Sequence, residues 1–156
     1  MANNLKKKIE LSNLLEQVET NFDSKEIISK LDKLHSKSKA HVIGITGSPG
    51  VGKSSLIDKL VKHIRKKNKS VGIIAIDPSS ERSGGALLGD RTRLMLNPSD
   101  NDVFVRSMAS KSFLGGISEL TYPSMVVMRA MFDFIIIETV GAVSYTHLTL
   151  PTKEGV

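Results

Sequence analysis

The stretch that most limits what this chain can become is "GSPGVGKS", running from Gly47 to Ser54. It fits the phosphate-loop spacing G-x-x-x-x-G-K-[ST]. An apolar run, "HVIGITG" (41–47), precedes it and reads as a short buried strand. An amphipathic stretch, "GKSSLIDKLVKHIRKKNK" (52–69), follows it, with Leu56, Leu60 and Ile64 expected inward. A strand turning through glycines into a helix is the setting the motif needs. The glycines let the backbone curl so that successive N–H groups face an anion. The helix adds the partial positive charge of its N-terminus. Gly47, Ser48, Pro49, Gly50, Val51, Gly52, Lys53, Ser54 and Ser55 form the candidate cradle. Within it Lys53 suits the outer phosphates and the Ser54 hydroxyl suits Mg²⁺.

What surrounds the loop points to an α/β fold. "SVGIIAIDPSS" (70–80), "NDVFVRSM" (101–108) and "FDFIIIETVG" (132–141) are further apolar runs, the first stopped by Pro78. Continuous apolar strands alternating with helices predict a mostly parallel sheet with both faces covered. Between the last two runs, Met125, Met128 and Met131 fit a helical core face, with Pro123 expected to break or kink that helix near its middle. Ahead of the sheet, Ile9, Leu11, Leu14, Leu15 and Val18 mark one helical stripe, and Ile27, Ile28, Leu31 and Leu34 a second. Asp23 with Glu26 reads as a capping box at the second start. "HSKSKA" is a short polar linker. The division expected is a helical extension over 1–39 and a phosphate-loop domain over 40–141.

Composition narrows the chemistry. A chain of 156 residues, 40% hydrophobic and 24% charged, suits one soluble domain with a real core. It has no cysteine, which removes disulfides, thiolate metal sites and thiol catalysis. No apolar run reaches the roughly 20 residues of a membrane span, and the cytoplasm is the expected compartment. The net charge of +6 is uneven: residues 1–70 hold 15 Lys/Arg against 7 Asp/Glu, and residues 71–156 hold 7 against 9. Lysines without interleaved aromatics lack the stacking of single-strand binders, so neither nucleic acid nor membrane is the expected partner. His35, His41, His63 and His147 are scattered, with no metal-ligand spacing.

A phosphate loop holds a nucleotide, but useful hydrolysis needs carboxylates at the strand ends to place metal and water. Asp77 closes the second strand, Asp90 lies in the Gly-rich "GGALLGDRTRL", and Glu138 closes "FIIIE". These are the candidate metal-side carboxylates beside Ser54. Gly141 is placed to offer a backbone N–H to a terminal phosphate. Each has a plainer reading: Asp77 as a turn starter before Pro78, Asp90 as a helix cap, Glu138 as a surface charge.

In order and spacing, "VIGITGSPGVGKSSLID", "AIDPSS", "GGALLGDRTRL", "VRSMASKSFLGG" and "FDFIIIETVG" resemble the methylmalonyl-CoA mutase-associated GTPase family, over about residues 40–141. The resemblance implies a P-loop fold that binds GTP and GDP with Mg²⁺, a homodimer when intact, and a chaperone role toward an adenosylcobalamin-dependent mutase. Lys53 and Ser54 match the loop pair. Asp77 matches the family's D-P-S-S block, Asp90 its G-D-x-T-R block, and Glu138 with Gly141 its E-T-V-G switch. Lys53, Asp90 and Glu138 become the implied catalytic set, and Ser54, Asp77, Asp90 and Glu138 the implied metal set.

The chain departs from that pattern after Gly141. It reads Ala142-Val143-Ser144-Tyr145 where the family continues V-G-Q-S-E, and no N-K-x-D follows; "NKSV" (68–71) lacks the Asp and comes too early. The tail "VSYTHLTLPTKEGV" is similar to a translated sequencing-adapter read-through. Native sequence is therefore expected to end near Gly141, with 142–156 as a non-native tail. The sheet is expected to be C-terminally truncated, with an open edge, and this polypeptide to be a poor enzyme. The rival readings are an ATP-using phosphate-loop kinase and a nucleotide-switched binding module without useful hydrolysis.

Overall fold

The computed structural model describes residues 2–77, 100–109 and 119–140. Its elements in chain order are α1 (Ala2–Asn21), α2 (Lys25–Lys37), β1 (His41–Gly47), α3 (Lys53–Lys66), β2 (Val71–Asp77), β3 (Val103–Ala109), α4 (Thr121–Arg129) and β4 (Phe134–Val140). The strands form one parallel sheet in the order β1-β4-β2-β3. The apolar runs are continuous because helices cover both faces, so neither side of a central strand needs polar residues.

Period-two alternation divides the core. Val71 and Ile73 of β2, Val103 of β3 and Ile136 of β4 pack with Ile57, Val61 and Ile64 of α3 on one face. Ile74 and Ile76 of β2, Met108 of β3 and Ile135 of β4 pack on the other with Leu11, Leu15 and Val18 of α1, Ile27 of α2, and Val127 and Met128 of α4. The two N-terminal helices therefore complete a core layer. An Arg106–Glu19 ion pair ties β3 to α1 at the rim of that layer. Where α4 and β4 press on β2, Gly72 lets side-chain ends come close: a Cβ there would stand 2.6 Å from Met128 Cε and 3.0 Å from Ile135 Cδ1, so that the methionine end would have to shift.

Several local expectations shift. The inward stripe of α3 is Ile57, Val61 and Ile64, with Leu60 partly buried and Leu56 55% exposed. The expected stripe and the observed one are neighbouring apolar rows, and packing against the sheet selects the second. The cap of α2 is Ser24, whose Oγ accepts from Ile27 N at 3.2 Å, one residue later than the expected Asp23–Glu26 box. Pro123 does not break a helix at mid-length. It is the third residue of α4, in the first turn, where a backbone N–H would have no intrahelical partner. Met128 is fully buried and Met125 packs partly buried against the same cluster, as the methionine spacing predicted, while Met131, also packed there, lies past the helix's last residue, Arg129.

β1 is one edge of the four described strands, and its residues are exposed or half-buried.

Candidate functional site

The site lies at the C-terminal edge of the parallel sheet, where open α/β sheets commonly receive ligands. β1 ends at Gly47, and residues 48–52 carry the chain to the first turn of α3. Gly50 has φ +79° and Gly52 has φ +93°, left-handed values that a side chain would strain. These two reversals turn the loop back over the strand end. Among the described residues, the backbone N–H groups of Gly50 through Ser55 have no hydrogen-bond partner. Such a row of unclaimed donors at a helix N-terminus is an anion receptor.

Lys53 is held inside the turn. Its Nζ donates to Gly47 O at 2.7 Å and to Ser48 O at 2.9 Å. The two carbonyls fix the ammonium over the loop and leave it one further donor for a phosphate oxygen. Ser54 follows, half-buried, in the first turn of α3.

The register of the ladder brings the first carboxylate to this edge. Glu138 is the parallel partner of Ile45, Thr139 of Thr46, and Val140 of Gly47. Glu138 is half-buried. On the other side of β4, Ile76 pairs with Thr139, so Asp77, which ends β2, reaches the same edge by its backbone. Lys53, Ser54, the strand position of Asp77 and Glu138 are thus gathered from three elements distant in sequence. Asp90 and Gly141 lie outside the described residues. Sequence reading gave Thr139 no role, although the ladder puts it between Glu138 and the loop; its place in the quoted E-T-V-G block was the available signal.

The donors suit Mg²⁺ better than a caged metal. Ser54 and Glu138 supply hard oxygens, and among the described residues no three His, Cys, Asp or Glu cluster as a metal cage. Mg²⁺ is commonly held by one or two protein oxygens, with phosphates and water completing the octahedron.

Charge is organised differently at the opposite edge. Arg65, in the last turn of α3, donates to Asp100 through Nε at 2.8 Å and to Asp102 through Nη2 at 2.8 Å. The hydrogen bond from Arg65 holds the Asp100 carboxyl below the usual range. Asp133 is lowered by the Ser70 N–H and hydroxyl, each at 2.8 Å, and by Lys69. These contacts join strand beginnings and lie away from the loop. Among the described residues no helix is long and apolar enough to cross a membrane.

Comparison with known proteins agrees with this geometry. Residues 10–147 match the family described as methylmalonyl-CoA mutase-associated GTPase MeaB. A Pyrococcus horikoshii protein bearing a GTPase name is 48% identical over 119 residues, which cover 76% of this chain and 37% of that protein. A Mycobacterium tuberculosis protein with a GTPase name is 41% identical over 109 residues, 69% of this chain and 32% of that protein. A fused isobutyryl-CoA mutase of Cupriavidus metallidurans is 38% identical over 136 residues, 84% of this chain and 12% of that protein. The chain thus spans about a third of the length of the GTPase-named relatives.

Proposed function

The chain belongs to the methylmalonyl-CoA mutase-associated GTPase MeaB family, and on that premise we propose that its loop grips the phosphates of GTP, with Mg²⁺, in a protein that hydrolyses GTP slowly while assisting an adenosylcobalamin-dependent mutase. The observation that carries this reading is the register of β4 against β1, which sets Glu138 beside the strand that opens into the loop.

Each residue has a physical task in that reading. The amides of Gly50 to Ser55, unpartnered among the described residues, receive the phosphate oxygens. Lys53, anchored by Gly47 O and Ser48 O, adds a full charge against the outer phosphates. The Ser54 hydroxyl and the Glu138 carboxylate take the metal side, with Asp77 and Asp90 completing that side from the strand end and the Gly-rich segment. When bound, Mg²⁺ would offset the phosphate charge that grows as the outermost phosphoanhydride bond breaks. Water attacks the outer phosphorus and GDP leaves as inorganic phosphate forms. Lys53 and the loop amides stay fixed throughout, so their stabilisation needs no reorganisation. Gly141 would read the outer phosphate through its backbone N–H.

The mutase partner is supported by the family itself and by the relative in which a matching segment lies within a fused isobutyryl-CoA mutase. A homodimer and a cytoplasmic setting belong to the same proposal. Guanine preference rests on family membership, since no N-K-x-D follows β4 in this chain. Competition between GTP and ATP for a fluorescent guanine nucleotide tests it. Displacement by GTP at concentrations where ATP fails supports the reading. Preference for ATP overturns it in favour of a phosphate-loop kinase, and equal displacement removes guanine selectivity from this chain.

A further inference from the structure

A second concave site lies at the other end of the sheet. A cavity of about 410 Å³ opens where α2 gives way to β1, α3 to β2 and α4 to β4, with Ser38 to His41, Lys69, Arg129, Ala130 and Phe132 to Phe134 around it. The volume is in the range of small-molecule sites. β1 separates it from the phosphate loop: seven residues, roughly 20 Å of strand. No step of the proposed hydrolysis uses it.

Its charge is unbalanced. Lys39, Lys69 and Arg129 line it with a single carboxylate, Asp133. That carboxylate is already engaged: Oδ2 accepts from Ser70 N and Ser70 Oγ at 2.8 Å, and Oδ1 accepts from Lys69 at 3.2 Å. Arg129 has no ion pair among the described residues, and its Nε is buried with no hydrogen-bond partner. Ser38 Oγ is buried and unpartnered in the same way. Buried guanidinium and hydroxyl groups are normally satisfied, so two residues of this wall each keep an unsatisfied polar atom beneath its surface. Beside them Phe134 packs against the His41 ring, centroids 5.3 Å apart, giving the cavity an apolar side.

We propose that this cavity binds a small organic molecule carrying a doubly charged oxyanion, a phosphate ester or a dicarboxylate. Three cations against one committed carboxylate leave two positive charges to match. Arg129 offers the planar fork suited to phosphate and carboxylate oxygens, and Lys39 an exposed ammonium. The His41–Phe134 side would contact the ligand's carbon skeleton.

The test uses the whole 156-residue chain carrying Lys53→Ala, so that the phosphate loop is weakened, and reads the cavity's own amides, so that failure of the nucleotide reading leaves the result untouched. Inorganic phosphate and succinate are titrated separately, and backbone amide shifts are followed by NMR. The expected result is saturable movement of the Ser38–His41 and Arg129–Phe134 amides with at least one probe. Response to phosphate alone assigns a phosphate ester, response to succinate alone a dicarboxylate, and response to both the shared oxyanion chemistry. Adding Arg129→Gln should weaken the response about tenfold or more, as loss of a charged hydrogen bond does. Lys39→Ala, at an exposed residue with no partner among the described residues, should weaken it severalfold without touching the fold. Unsaturable shifts, or saturable shifts that both variants leave unchanged, would overturn the assignment.

Discussion

Glu138 stands opposite Ile45 in the parallel ladder, two residues short of Gly47, where the loop begins. Two strand residues span roughly 7 Å. No sequence neighbourhood puts this carboxylate near the loop. The pairing of β4 with β1 does, and on that placement Glu138 is proposed as a metal-side group.

Glu138→Gln tests that role. The side chain keeps its size and loses its charge, so the fold should persist and metal-free nucleotide affinity should change little. Apparent Mg²⁺ affinity of the nucleotide-bound protein should fall by about 10- to 100-fold. A Mg²⁺ titration followed by nucleotide fluorescence reads this directly, and an unchanged midpoint would remove Glu138 from the metal side.

The strands and the loop were legible because each carries a strong local signal: an unbroken apolar run for β2 and β4, fixed glycine spacing for the loop. The strand order was not legible. β4 inserts between β1 and β2, and nothing in "FIIIETV" names its neighbours. Periodicity likewise marked α1 and α2 as amphipathic without saying what their apolar faces meet. The face of α3 was misread by one row because Leu56 and Ile57 are both apolar, and only packing decides which points inward. Pro123 was read against a helix whose start could not be placed; once the start is Thr121, the proline sits where it is tolerated. Asp90 and Gly141 fall outside the described residues, so their roles rest on the motif.

Gly72→Ala probes the tight contact between β2 and the α4–β4 face. The added methyl would meet Met128 Cε at 2.6 Å and Phe132 Cδ2 at 3.0 Å, in a fully buried layer. Overpacking costs about 1–3 kcal/mol, and the movable end of Met128 puts this case at about 1 kcal/mol. Urea unfolding should show the loss as a lower midpoint with an unchanged slope.

Leu15→Ala asks whether α1 shares the core. Leu15 is fully buried in the cluster that joins α1 to β2, β3 and β4. The cost should be about 2–5 kcal/mol, in a single transition seen equally by helix and sheet probes. An early, separate transition of the N-terminal helices would show that they fold apart from the sheet.

Asp100 sets an acid limit. Arg65 lowers its folded pKa below the ordinary 3.8. The unfolded chain therefore takes up this proton first as pH falls, and the contribution is whole above about pH 4 and lost as pH drops through the folded value. Asp100→Asn should lower stability at neutral pH and flatten this part of the acid decline. Denaturant melts between pH 6 and pH 2.5 check both effects (roughly the span over which such carboxylates titrate), and an unaltered acid slope would mean that the Arg65–Asp100 pair carries no linkage.

The most direct measurement is GTP binding, with Mg²⁺, to the whole chain and to its Lys53→Ala variant, each checked for an unchanged fold by circular dichroism. Removing the ammonium that Gly47 O and Ser48 O hold over the loop should cost about 1.5–3 kcal/mol of binding, or roughly 10- to 150-fold in affinity. GTP binding that is saturable in the parent chain and weakened to that degree in the variant is the predicted result. Equal binding by both proteins, or no saturable binding by the parent chain, would contradict the assignment of Gly47 to Ser55 as this chain's nucleotide site.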